Sequence, residues 1–259
     1  KTEVHRIWIS GNSLHTPGIY EIIWLIRLRK QRSEGQVREM GSQACTVTGI
    51  VLSAVPAGDY DKLIVLLTRE RGKIRAFARG SRRMNSPLLA ASNVFAFGEF
   101  QIYEGRTAYS VAQASIRNYF SELMTDFDAS CYGQYFLEFA DFYTGENVDG
   151  TDYLRLLYQS LRALSVPSLP RELVRYIYEL KAMVYSGECP QTYEQFESWK
   201  LDPSTMYALQ YVTASPVEKL YTFTLAPQVL EEFGKTVGWL RERYVKRHFK
   251  SLEILETCL

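Results

Sequence analysis

The period of the hydrophobic pattern changes once along this chain, and that change limits the fold more than any other feature. Between Cys45 and Ile116, short β-branched and apolar runs alternate with polar positions and are cut by turn residues; after Asn118, apolar residues recur every three to four positions. Strand faces repeat with period 2 and helix faces with period 3.6, so the first stretch reads as a β-unit and the second as an α-unit.

Five strands are expected in the first stretch: CTVTGIVLSAV (45–55), KLIVLLT (62–68), GKIRAFAR (72–79), SNVFAFGEFQIYE (92–104) and TAYSVAQASI (107–116). PAGDYD and EGR separate them as turn segments. Five short strands within about seventy-five residues predict a small barrel, which as a nucleic-acid binder is the OB-fold.

The second stretch carries helical stripes in YFSELMTDFDASCYGQYFLEFADFYTG, in TDYLRLLYQSLRAL and in PRELVRYIYELKAMVYSG, the last opened by Pro170 and stopped at Gly187. Asp202-Pro203 and Ser215-Pro216 read as cap and first-turn pairs of two shorter helices. A long final helix is expected from Pro227, with Leu230, Phe233, Val237, Leu240 and Tyr244 on one side. The chain is therefore an α+β two-domain protein. Residues 1–41 read as an N-terminal extension, 42–119 as the five-stranded OB-fold barrel and 120–259 as an all-α helical domain. A length of 259 residues gives each of the two domains a core of its own.

Residues 1–41 mix an apolar patch with a basic one and close on Met40-Gly41. One reading makes Met40 the natural start; the rival makes the segment a basic amphipathic arm. It lacks the ordered basic, apolar and small-residue regions of a signal peptide.

The charge is uneven. The whole chain has a formal net charge of +1, yet residues 42–120 hold 10 Lys+Arg against 5 Asp+Glu, whereas residues 121–259 hold 13 against 20. An acidic helical domain suits protein partners better than a polyanion.

Seven cations and one acid crowd into RERGKIRAFARGSRR, residues 69–83. As a strand, this segment turns Ile74, Ala76 and Ala78 to one face and Lys73, Arg75, Phe77 and Arg79 to the other. The first row suits a tight barrel interior. The second offers cations to phosphates and an aromatic ring to a base, and Arg69, Arg71, Arg82 and Arg83 lengthen the positive track. A solvated face normally mixes signs, and here Glu70 stands alone. The run is therefore read as a nucleic-acid-binding strand, on the strand 2 and 3 face where OB-folds take oligonucleotides.

A second concentration, Arg241, Arg243, Lys246, Arg247 and Lys250, lies in RERYVKRHFK toward the C-terminus. It is a candidate secondary DNA contact, although cations are also favoured at a helix C-terminus by the helix dipole.

Gly58, Asp59 and Asp61 read as turn chemistry rather than a metal-binding carboxylate pair. His5, His15 and His248 have no catalytic partner near them in sequence. The four cysteines, Cys45, Cys131, Cys189 and Cys258, are scattered without a CxxC pair, so neither a metal site nor a disulfide framework is expected, and free thiols fit a reducing cytoplasm. No apolar run is long enough for a bilayer span. Phosphate-loop, dinucleotide, zinc-protease and serine-elbow motifs are missing, so a non-enzymatic role without cofactor is expected.

GDYDKLIVLLTRERGKIRAFARGSRR resembles the N-terminal barrel signature of the bacterial RecO recombination-mediator family, with Thr68, Gly72, Arg79 and Gly80 at the family positions. KRHFKSLEIL resembles the family's C-terminal Lys-Ser-Leu segment, and the likeness covers about residues 44–256. Many members carry a four-cysteine zinc module after a turn like SGECPQ (186–191); here QTYEQFESWKLDPST follows directly, so zinc is not carried over. The resemblance implies a DNA repair protein that binds single- and double-stranded DNA and anneals complementary strands. It further implies engagement of the acidic tail of single-strand-binding protein and work with RecR to load RecA, in the cytoplasm at the nucleoid. A protein-interaction adaptor and an RNA-binding OB-fold factor are the alternatives.

Overall fold

In the computed structural model, residues 44–189 and 200–258 are described. The extension with His5, His15 and Met40, and residues 190–199 of the segment following SGEC, lie outside them.

Five strands, β1 (Cys45–Ala57), β2 (Asp61–Thr68), β3 (Gly72–Ala78), β4 (Phe97–Tyr103) and β5 (Tyr109–Asn118), close into a barrel in the order β1-β2-β3-β5-β4. All neighbours are antiparallel except β3 and β5, which run parallel. β1 serves two partners, pairing with β4 through Cys45–Ile50 and with β2 through Gly49–Ala57. The inward row of β3, Ile74, Ala76 and Ala78, packs with Val51, Leu66 and Phe100 in the barrel interior. Small side chains there let a narrow barrel close. The fourth strand is shorter than the sequence suggests, because Leu88–Ala91 forms a helical turn, α1, and the chain becomes extended only at Phe97.

Seven further helices complete the described residues: α2 (Ser121–Thr125), α3 (Phe127–Tyr143), α4 (Thr151–Ala163), α5 (Arg171–Tyr185), α6 (Pro203–Ala214), α7 (Pro227–Tyr244) and α8 (Lys250–Cys258). The first stripe is split because Asp126 is extended (φ −109°, ψ 113°) and its carboxylate accepts from the Ala129 amide at 3.0 Å, capping α3. Asp202 caps α6 as its sequence suggests, whereas Ser215-Pro216 opens only a single 3-10 turn, Val217–Lys219.

The expected final helix is also two. α7 stops at Val245 (φ −94°, ψ 90°), a short link follows, and α8 returns onto α3. The break lets Phe249 insert among Tyr135, Phe139 and Phe142, and it buries Leu252 and Leu255. A straight continuation at about 1.5 Å per residue would carry these side chains away from α3.

The outer face of β1 and β2 contributes Ile50, Leu52 and Leu67 to the same core as the helices. The described residues thus form one compact unit with a core shared between barrel and helices.

Candidate nucleic-acid interface

The alternation along β3 places Lys73, Arg75 and Phe77 on the outer surface, followed by exposed Arg79, while the residues between them are buried. Residues opposite each other in a ladder project to the same face. Phe77 lies opposite Ser110 of β5, and Ser110 lies opposite Tyr103 of β4. Tyr103, 42% exposed, therefore stands on the same face as Phe77, one strand beyond its neighbour. This second aromatic is invisible from β3 alone, because the parallel β3–β5 pairing that brings it there exists only in the closed barrel.

On the other side of β3 the outer row of β2 is apolar. Leu67 is buried in the helical core and Val65, opposite Arg75, packs against it. The open part of the expected strand 2 and 3 face is thus β3 itself, extended toward β5 and β4.

The turn between β2 and β3 is an architectural joint. Thr68 closes it, its hydroxyl donating to the Gly72 carbonyl at 2.8 Å and accepting from the Arg71 amide at 3.1 Å. The α3–α4 loop docks against it: the Lys73 amide donates to Gly145 at 2.8 Å, and the Asn147 amide donates to Arg71 at 3.0 Å. Gly72 has φ +63°, and a Cβ there would lie 2.4 Å from the Gly145 carbonyl oxygen, so the glycine of the signature is required by this contact.

The eight cations and aromatics of residues 69–83 separate by their partners. Arg69 pairs with Glu70 at 2.8 Å, and Glu70 also accepts from the Thr48 amide. Arg71 donates to the Tyr109 hydroxyl at 3.0 Å with its guanidinium over that ring, and the hydrogen bond holds its pKa above the ordinary value. Lys73, with its side chain 24% exposed, lies 3.2 Å from Asp141 of α3. Arg82 donates to the Gly58 carbonyl at 3.0 Å, and Arg83 lies over the exposed Tyr60 ring at 5.0 Å. Arg75 and Arg79 are exposed and form no ion pair among the described residues. The positive field is felt nearby: burial first, and Arg82 second, push the Lys62 ammonium below its ordinary pKa.

Gly58 and Asp59 occupy a turn, and Asp61 accepts from the Gly80 amide at 2.8 Å, fastening that turn to the loop after β3. Among the described residues no cluster of His, Cys, Asp and Glu has the makings of a metal site. No helix among them is long and apolar enough to cross a membrane.

The C-terminal cations do not share one face. Arg241 points inward, 13% exposed and 3.1 Å from the buried Glu179 carboxylate, so its charge is already engaged. Arg243 lies over the Trp239 ring at 5.2 Å, while Lys246 and Lys250 are exposed at the α7–α8 link. Arg247 lies over the Phe142 ring at 5.5 Å, and His248 sits in the link, not on a helix, 3.1 Å from Glu253. Ser251 of the Lys-Ser-Leu segment donates its amide to Glu138 of α3 at 3.0 Å and its hydroxyl to the same carboxylate, which anchors α8.

A closed five-stranded barrel with a one-sided cationic strand, backed by helices that share its core, defines an OB-fold protein with a fused helical unit. Residues 40–120 match the family described as Recombination protein O N terminal, and residues 124–198 match Recombination protein O C terminal. The chain belongs to the RecO family of DNA repair proteins. The DNA repair protein RecO of Clostridium kluyveri is 25% identical over 237 residues, covering 81% of this chain and 92% of its own. That of Alkaliphilus metalliredigens is 27% identical over 242 residues, covering 80% and 96%. That of Caldicellulosiruptor saccharolyticus is 33% identical over 143 residues, covering 55% and 58%.

Proposed function

We propose that this chain is a non-enzymatic recombination mediator that binds single- and double-stranded DNA along the outer row of β3 and anneals complementary strands. In this reading it works with RecR to load RecA onto DNA coated by single-strand-binding protein, whose acidic tail it engages, in the cytoplasm at the nucleoid. The observation that carries the DNA-binding part is the placement of Arg75 and Arg79, exposed and without ion-pair partners among the described residues, on either side of Phe77. Cations without acids attract phosphates of any sequence, and an aromatic ring accepts any base, which is the chemistry of sequence-blind binding and annealing. Binding energy alone drives such an exchange, so no nucleotide site is required.

Anisotropy titration of labelled oligothymidylate over a salt series tests the reading. The double substitution Arg75→Ala and Arg79→Ala should weaken binding and reduce the salt slope by about 1.4, at roughly 0.7 per lost phosphate contact on a single strand. Unchanged affinity with an unchanged slope would overturn it.

A further inference from the structure

The two basic concentrations of this chain, far apart in sequence, end on the same stretch of α3. From the barrel, the Lys73 ammonium lies 3.2 Å from the Asp141 carboxylate and donates to the Asp141 carbonyl at 2.5 Å. From the α7–α8 link, the Arg247 guanidinium lies 4.0 Å from the Glu138 carboxylate and 5.5 Å from the centre of the Phe142 ring. Positions 138 and 141 are i,i+3 neighbours, with Cβ atoms about 5–6 Å apart. Lys73 and Arg247 therefore reach adjoining positions on one face of α3. Each is paired with an acid there, so the crossing carries little net charge and leaves neither acid to repel a strand laid over it.

The acids at this crossing are already neutralised. Asp141 is held by Lys73, and Glu138 by Arg247 and both donors of Ser251. Beyond the crossing, Lys246 and Lys250 are exposed and form no ion pair among the described residues. Arg243 on the 47% exposed Trp239 adds the same mixture of cation and ring that β3 presents. Free acids border the route instead. Glu146 bridges to Gly72 and Asp149 caps Thr151 on the α3–α4 loop, and both repel a polyanion from that side. Glu242 is exposed on the last turn of α7, where Arg243 adjoins it.

We propose that a single nucleic-acid strand seated on β3 continues over the C-terminal half of α3 to the α7–α8 link, where Lys246 and Lys250 take further phosphates. The proposal rests on the β3 reading above and extends it from one strand of the barrel to one continuous path across barrel and helices. From Arg79 to Lys73 the path is about 20 Å at 3.3 Å per residue, the reach of about four nucleotides of an extended single strand, the lower end of OB-fold site sizes. The crossing and the link lengthen it by a comparable amount.

The path predicts a length dependence that two independent sites would not give. Fluorescein-labelled oligothymidylates of about 4 and about 15 nucleotides, within the range of OB-fold site sizes, are titrated onto the full chain and onto the double variant Lys246→Ala, Lys250→Ala, over a salt series. The longer strand should lose about 1.4 from its salt slope in the variant, two contacts at roughly 0.7 each, while the shorter strand binds as it does to the unaltered chain. Binding of the shorter strand with no change for the longer one would overturn the continuous path and leave the β3 site standing. Equal weakening of both lengths would also overturn it, because a separate site at the link would then be filled by short strands. Failure of the shorter strand to bind the unaltered chain would count against the β3 site and the path together.

Discussion

Replacing Gly72 by alanine should loosen the barrel from the helices, and the size of the effect follows from two distinct costs. The first is conformational: φ is +63°, and an L-residue in the left-handed region costs about 1–2 kcal/mol. The second is steric. A Cβ at this position would stand 2.4 Å from the Gly145 carbonyl oxygen and 2.6 Å from that of Val148, both of them backbone atoms. Relief requires moving a loop that is fastened to the same turn by the Lys73 to Gly145 and Asn147 to Arg71 hydrogen bonds. Overpacking of this kind costs about 1–3 kcal/mol, giving roughly 2–5 kcal/mol in all. At about 2–4 °C per kcal/mol for a chain of this size, Tm should fall by about 10 °C in a melt followed by circular dichroism. Gly80→Ala is the matched control, because φ there is +66° but the nearest neighbour is a side-chain carbon at 3.9 Å, so it carries the conformational cost alone. If the two variants melt together, the close approach of the α3–α4 loop at Gly72 is refuted.

Three further outcomes are expected. The Glu179 carboxylate accepts from Tyr135 at 2.7 Å, Arg175 at 2.8 Å and Arg241 at 3.1 Å. Glu179→Ala strands the Arg241 guanidinium and leaves Arg175 with Glu256 alone, and it should cost about 3–5 kcal/mol in urea unfolding, with a loss below 1 kcal/mol contradicting a structural role for the cluster. Burial pushes the Cys189 thiol up to about 12, above the ordinary unfolded value near 8.5. Between those values the unfolded chain releases a proton that the folded chain retains, so this contribution to stability is fully present below about pH 8.5 and is lost as pH rises toward 12. Urea melts at pH 8 and pH 10 should show a smaller alkaline loss in Cys189→Ala than in the unaltered chain; equal losses would rule the thiol out. Phe77→Ala and Tyr103→Ala should each weaken single-strand binding by about 1–3 kcal/mol, and unchanged binding in both would show that bases do not stack on this face.

Much of the barrel is legible in the residues, because strand alternation is a local property. Ile74, Ala76 and Ala78 against Lys73, Arg75 and Phe77 need only the period of two to be sorted into core and surface. The missing parts depend on contacts between distant segments. Tyr103 joins Phe77 only through Ser110, by a parallel pairing set by barrel closure. Lys73 reads as a free phosphate ligand until Asp141, far along the chain, is folded against it. Arg241 reads as a surface charge on a basic helix end, yet it faces the buried Glu179 because α7 packs on α5. The break at Val245 is likewise tertiary, since Phe249 leaves the helical path to fill a hole among aromatics of α3. Thr68 and Gly72 stand out in the sequence only as positions of the family signature, and the fold supplies their reason: the Thr68 hydroxyl closes the turn and Gly72 lets the α3–α4 loop approach.

Photocrosslinking tests the central claim, that the outer row of β3 touches the nucleic acid, more directly than any affinity. Oligothymidylate carrying bromodeoxyuridine is irradiated on the full chain, and tryptic peptides are mapped by mass spectrometry. Adducts should concentrate on the peptide Ala76–Arg79, which contains Phe77, and should be missing from the longer tryptic peptide 74–82 that replaces it in the Arg75→Ala, Arg79→Ala variant under the same salt. Adducts confined to the helices beyond Asn118, with none on β3, would contradict the account.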